Sequence, residues 1–175
     1  GENYDTALDP ASITKVMTSY VVAAEMANGK IKPTDSVRIS ENAWRSGGAG
    51  TDGSYSALAI NSDVPLDDVL HGLVIQSGND AAIALAEHVA GSESAFAQLM
   101  NAYAKKIGMT RSHFVNPHGL TAEGHVTTAR DLAILGRALI RDFPEAYSYN
   151  KIKELTPAGL DYVFFTGSGS EAADT

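Results

Sequence analysis

The 175-residue chain contains no cysteine. That absence removes disulfides, thiolate zinc sites and cysteine nucleophiles together, and it suits either redox compartment. No apolar run approaches the ~18 residues of a membrane span. The chain opens on polar GENYDT, with no signal peptide in view; a mature exported domain would lack its signal too, so this does not assign it to the cytosol. Basic side chains are few: 13 Lys and Arg against 21 Asp and Glu give a net charge of −8. No nucleic-acid partner is expected, because phosphate binding needs a basic face. Repeats of fixed period and low-complexity tracts are missing as well.

What remains is sufficient for a packed core. Hydrophobic residues make up 44 % and the mean hydropathy is −0.09. The length suits one domain, or one domain with an incomplete second.

Residues 1–154 read as a succession of amphipathic helices, so the chain as it stands is mainly α. Asp9 is a good N-cap and Pro10 a good first helical residue. Ile13, Val16, Met17, Tyr20, Val21 and Ala24 then recur at helical spacing until Asn28–Gly29 stops the helix. Val37 and Ile39 around Arg38 predict a small strand. The Gly/Ser-rich run over 44–56 predicts a loop, and Pro65 a helix start. Leu66, Val69, Leu70, Leu73 and Val74 form an apolar stripe. Gly78 breaks that helix, and a second runs to Gly91. Ser92 caps a helix carrying Phe96, Leu99, Met100, Tyr103 and Ile107, which Gly108 ends. A loop leads to Thr128 and Asp131, spaced as a capping box, and Pro144 closes the last helix. Residues 155–175 differ: Tyr162–Thr166 predicts a strand that turns through glycines.

Two short motifs carry candidate chemistry. In DPASITK, Ser12 and Lys15 stand three apart and share a helix face. The plain interpretation is a helix start with a solvated lysine. The chemical one makes Ser12 a nucleophile near the positive end of a helix dipole, with Lys15 as the base a serine needs. A lysine is a poor base at its ordinary pKa of ~10.4, so burial must lower that value. In QSGND, Ser77 and Asn79 flank Gly78 between two helices. Either Ser77 ends one helix and Asp80 caps the next, or Ser77 relays a proton while Asn79 holds the lysine and a substrate carbonyl.

S-x-x-K followed by S-x-N is a combination that serine–lysine enzymes use. LDPASITKVMTSYVV, the stretch from VIQSGND to VNPHGL, and TTARDLAILGRALIRDFPEAY strongly resemble the low-molecular-mass penicillin-binding proteins. These are serine-type D-alanyl-D-alanine carboxypeptidases, related to class A β-lactamases. The resemblance covers residues 1–154 and implies the helical lobe of an α+β fold, with most of its antiparallel sheet missing here. It implies Ser12 as the acylated nucleophile, Lys15 as its base, and Ser77 and Asn79 as second-motif residues. It also implies a peptidoglycan stem peptide ending in D-Ala-D-Ala as substrate, acylation by β-lactams, and a periplasmic or other extracytoplasmic setting. No cofactor is called for. A helical lobe without its sheet leaves an apolar face open to self-association.

The family's K-T-G does not occur in these residues, so impaired activity is expected. Two accounts of the tail stand open. In one, Phe165-Thr166-Gly167 is a degraded third motif, with Thr166 and Gly167 as substrate-binding residues. In the other, residues 158–175 resemble the phosphate-binding segment of class III pyridoxal-phosphate aminotransferases, with Ser168 to Ser170 at the phosphate. The chain is then a fusion, a truncated product or an artificial recombination of two families; a non-catalytic helical module is a separate alternative to the peptidase.

His113, His118 and His125 share one loop without the spacing of a metal site, so no metal is expected and solvated loop histidines are the default. His71 and His88 lie at helix surfaces or core edges. Trp44 anchors the glycine-rich loop or lines a cleft beside it, the anchor being favoured.

Overall fold

The computed structural model describes residues 3–146. In chain order these form α1 (Thr14–Ala27), β1 (Ser36–Arg38), α2 (Glu41–Gly47), β2 (Asp63–Pro65), α3 (Leu66–Gln76), α4 (Asn79–Ala90), α5 (Glu93–Ile107) and α6 (Ala129–Asp142). The division at residue 154, the strand at Tyr162–Thr166 and the tail positions Thr166 and Gly167 lie outside the described residues.

α1 is the centre of the lobe. The sequence predicts a one-sided stripe, but every residue from Thr14 to Glu25 is buried. A helix wrapped on all sides has no solvent face to keep polar, so its polar side chains find partners inside. Thr18 Oγ1 donates to the Pro117 carbonyl (2.6 Å), Ser19 Oγ to the Val16 carbonyl (2.8 Å), and Glu25 accepts from the Tyr103 hydroxyl (2.9 Å). α1 packs against α3, α4, α5 and α6.

α4 is the second buried helix. Asn79 through Leu85 and Ala86 are all in the core, and alanine at 81, 82, 84 and 86 lets neighbouring backbones come close. α2 uses that space: a Cβ on Gly47 would lie 2.5 Å from the Asp80 backbone nitrogen. Composition misleads at this point. The Gly/Ser run expected to be loop begins inside α2, which Ser40 starts by accepting from Ala43 N–H (3.0 Å). Gly47 serves close packing of α2 on α4 rather than a turn. Trp44 on α2 is 43 % exposed, so it does not anchor the loop by burial.

The expected strand forms as β1, pairing antiparallel with β2 in the register Ser36↔Pro65, Val37↔Val64 and Arg38↔Asp63. β2 is not evident in the sequence because Pro65 is both its last residue and the N-cap of α3. An edge position tolerates the missing N–H. The stripe Leu66, Val69, Leu70, Leu73 and Val74 is buried as expected.

α5 and α6 are outer helices. Ser92 Oγ accepts from Ala95 N–H (3.0 Å) and Thr128 Oγ1 from Asp131 N–H (3.1 Å). Asp131 does not simply return the bond of a capping box. Its Oδ2 accepts from Arg111 N–H (2.9 Å) and Ser112 Oγ (2.7 Å), tying the loop before α6 to the helix. Between α1 and α6 an apolar groove of about 660 Å³ is lined by Ile13, Val16, Leu132, Leu135 and Ile140. Among the described residues no helix is long and apolar enough to cross a membrane.

Candidate active site

The segment before α1 does not enter the helix directly. Asp9 Oδ1 accepts from Ala11 N–H (2.9 Å) and its Oδ2 from Thr121 Oγ1 (2.8 Å); the first of these holds its carboxyl below the usual range. Asp9 thus fastens the turn, but Pro10 occupies the N-cap of a 3-10 turn over Ala11–Ile13. Ala11 has φ 47°, a left-handed conformation that interrupts any regular helix and delays α1 to Thr14. Ser12 therefore lies in this turn, two residues ahead of α1, instead of being the third residue of the helix. It is exposed and stays at the positive end of the helix dipole. Lys15, three residues on, is only 2 % exposed, and its Nζ donates to the His118 carbonyl at 2.9 Å.

The loop that carries this carbonyl is pinned on both sides. Asn116 Oδ1 accepts from Gly119 N–H (2.7 Å) and its Nδ2 donates to the Leu120 carbonyl (2.9 Å). A Cβ on Gly119, whose φ is +96°, would meet the Ala11 carbonyl oxygen at 1.9 Å. The loop thus lies directly behind the turn that presents Ser12. His125 is 5 % exposed; its Nε2 meets Thr14 Oγ1 at 2.8 Å and its Nδ1 accepts from Val115 N–H at 3.1 Å. Burial holds its pKa below the usual histidine value. The ring of His118 is also largely covered and lies 3.4 Å from Glu93. Two of the three loop histidines are thus structural parts of this region, whereas the sequence predicts all three to be solvated; His113 alone is exposed. The partners of His125 and His118 include Thr14 and Glu93, distant in sequence, so no local signal marks them.

The second motif sits at the junction of α3 and α4. Ser77 is the C-cap of α3 in the left-handed region (φ 54°, ψ 40°), and Gly78 is the N-cap of α4. The left-handed residue is Ser77, where glycine would be the ordinary choice. A side chain held there is strained, and such strain gathers at functional sites. Asn79 is 2 % exposed; its N–H donates to the Ser54 carbonyl (2.8 Å) and its Nδ2 to the Asp52 carbonyl (3.2 Å). Asp80 lies wholly in the core and does more than cap α4. Its carboxylate accepts from Ser56 N–H (2.7 Å), Leu58 N–H (3.1 Å) and Ala81 N–H (2.9 Å), so it holds the loop between α2 and β2. Local spacing predicts only a cap at Asp80, because its loop partners lie more than twenty residues upstream.

The two motifs meet through these loops. The Gly119 backbone abuts the Ser12 turn. A Cβ on Gly53 would lie 2.7 Å from Asn79 Nδ2 and 3.9 Å from Leu120 Cδ2. The loop over His118 to Leu120 thus adjoins the Ser12 turn at Gly119 and nears Gly53, the neighbour of Asn79, at Leu120, although Ser12 and Ser77 are more than sixty residues apart in sequence. Among the described residues no group of three or more His, Asp or Glu side chains is arranged to hold a metal ion.

The helical lobe with its small antiparallel pair superposes on solved penicillin-binding proteins. Penicillin binding protein 5 from Haemophilus influenzae superposes with a TM-score of 0.82 at 43 % identity, over 86 % of this chain and 43 % of that one. Penicillin binding protein 6B from Escherichia coli also gives 0.82, at 38 % identity, over 89 % and 49 %. The chain belongs to the D-alanyl-D-alanine carboxypeptidase family, peptidase S11, which it matches over residues 1–167. D-alanyl-D-alanine carboxypeptidase DacC of Escherichia coli (strain K12) is 51 % identical over 155 residues, 88 % of this chain and 39 % of the relative. The chain spans about two fifths of the length of the curated relatives it matches (39 % and 40 %). The family match runs through Thr166 and Gly167, so it takes in part of the tail.

Proposed function

We propose that this chain is the lobe bearing the nucleophile of a serine-type D-alanyl-D-alanine carboxypeptidase acting on peptidoglycan stem peptides outside the cytoplasm. The observation that carries this is Lys15: a lysine 2 % exposed, with its Nζ on a backbone carbonyl, three residues from an exposed serine. A solvated helix-start lysine has no reason to be there. The chemistry requires an uncharged amine, and burial disfavours a charged one.

In this account Ser12 Oγ attacks the carbonyl carbon of the penultimate D-alanine while its proton passes to the Lys15 amine. The Ser12 backbone N–H stabilises the oxyanion. Collapse breaks the C–N bond, and the terminal D-alanine leaves with the proton relayed through Lys15 and Ser77. Water then hydrolyses the acyl ester. Asn79 orients the substrate carbonyl. A β-lactam acylates the same oxygen and keeps its opened ring. Thr166 and Gly167 are the proposed substrate-binding residues of the tail. In the account in which Phe165 stands where the third motif has its lysine, binding of the substrate carboxylate is weakened by about 1.5–3 kcal/mol, the worth of one charge-assisted contact.

The test is the mass of the intact protein after exposure to a β-lactam, with Ser12→Ala as control. An adduct on the parent and none on the variant is expected; a folded chain that takes no adduct overturns the activity. The open apolar groove between α1 and α6 favours a second reading, a helical module that makes no bond and self-associates through that face. A concentration-dependent dimer without an adduct would support it. Pyridoxal phosphate binding through the tail is tested by its absorbance, which stays unchanged on titration if the tail is a peptidase remnant.

A further inference from the structure

Glu93 is the first residue of α5, where the helix dipole alone would favour a carboxylate. Its surroundings ask more of it. Its Oε1 lies 3.4 Å from His118 Nε2, and its Oε2 accepts from Asn42 Nδ2 at 3.1 Å. The same amide donates to Glu87 Oε1 (2.8 Å), and Ser46 Oγ donates to Asn42 Oδ1 (3.1 Å). These bonds fix which way the amide points, so Asn42 on α2 holds the carboxylates of α4 and α5 together. On the far side of the imidazole, Leu120 N–H donates to Nδ1 (3.1 Å). A ring that accepts at Nδ1 carries its proton on Nε2, the nitrogen that lies 3.4 Å from Glu93 Oε1. Both edges of the His118 ring are therefore engaged, and the backbone carbonyl of the same residue holds Lys15 Nζ at 2.9 Å.

We propose that Glu93 is a positioning residue for acylation: through the His118 imidazole it fixes the carbonyl that holds the Lys15 amine, and so sets the lysine against Ser12. This rests on the acyl-serine reading above. The acceptor geometry, rather than the charge of Glu93, is what His118 needs.

The test combines two measurements on the full chain. The first is the rate at which acetic anhydride labels Lys15 relative to the other lysines, by peptide mass. The second is acylation of Ser12 by a fluorescent penicillin, separated into noncovalent binding and the acylation rate constant. Glu93→Ala should raise Lys15 labelling and lower the acylation rate constant about ten- to a hundredfold with binding little changed, as expected for a misplaced base. Glu93→Gln keeps an acceptor without the charge and should stay within about threefold of the parent in both. Ser92→Ala removes the α5 cap beside it; it should lower the melting temperature but leave both readouts alone. If Glu93→Ala matches Ser92→Ala, or Glu93→Gln matches Glu93→Ala, the proposal is overturned. Should the parent chain take no penicillin at Ser12, the peptidase reading falls separately, and Lys15 labelling still decides whether Glu93 holds the lysine in place.

Discussion

Gly119→Ala combines backbone strain with a backbone clash for one added methyl group. At φ +96° a residue with a Cβ costs about 1–2 kcal/mol from backbone strain alone. The new carbon would also lie 1.9 Å from the Ala11 carbonyl oxygen and 2.5 Å from its carbon. A tolerable C···O approach is about 3.3 Å, so the two backbones must part by roughly 1.4 Å. Overpacking of that kind adds about 1–3 kcal/mol, for a total near 2–5 kcal/mol. The displacement is also aimed at the candidate chemistry. One side of the clash is the residue before Ser12, and the other is the residue after His118, whose carbonyl holds Lys15. Serine and lysine are pushed apart, and a shift of about 1 Å costs on the order of a hundredfold in rate. Gly91→Ala is the control: its φ is +87°, but nothing lies within 4 Å of the added carbon. It should show the strain without the clash. Denaturant midpoints and β-lactam acylation rates are compared for both variants. A Gly119→Ala protein as stable as Gly91→Ala and acylated as fast as the parent would refute the claimed contact.

Asp80→Ala leaves the Ser56 and Leu58 amides without their acceptor, at about 1–3 kcal/mol for each unsatisfied group. Urea titration should register the loss, and hydrogen exchange at those two amides should accelerate. His125 is held below its ordinary pKa by burial, so the unfolded chain takes up a proton near pH ~6.5 before the folded one does. Stability is then full above that pH and declines as the pH falls below it, and His125→Gln should flatten the slope between pH 7.5 and 5.5 in urea titrations. Burial, followed by its bond to Asp142, pushes the Tyr20 hydroxyl up to about 12. Tyr20→Phe should cost about 1 kcal/mol in denaturant midpoint, the ordinary worth of one hydrogen bond.

Most helices were legible because their signals are local. Ser92 and Thr128 cap where their spacing predicts, the Leu66–Val74 stripe is buried, and Asn28, Gly91 and Gly108 end their helices. Errors came where packing from elsewhere outweighed local composition. Gly47 belongs to α2 because α4 presses against it. The one-sided stripe of α1 understated its burial, since Thr18, Ser19 and Glu25 have partners as far as 99 residues away. Pro10 promised a direct helix start, and the left-handed Ala11 replaced it with a 3-10 turn because the Gly119 backbone occupies the adjoining space. The candidate site divides in the same way. Ser12, Lys15, Ser77 and Asn79 are candidates that short motifs suggest. The residues that contact them or brace the adjoining loops, His118, Gly119 and Asp80, have no short motif that announces such a part.

One partner of Lys15, the His118 carbonyl, bears on how the lysine is buried. A carboxylate at 2.9 Å would stabilise the ammonium form, and a base that must accept a proton would be blocked by it. A carbonyl oxygen accepts a hydrogen bond from amine and ammonium alike, so it satisfies a buried donor in either state. Here a backbone carbonyl supplies that oxygen, and a fixed backbone keeps it in place. The His118 carbonyl lies 103 residues from Lys15, in a loop fixed by Asn116, by Thr18 at the preceding carbonyl and by contact with Ala11. Substitutions that leave S-x-x-K and S-G-N intact but loosen that oxygen should therefore silence the serine as effectively as removing the lysine.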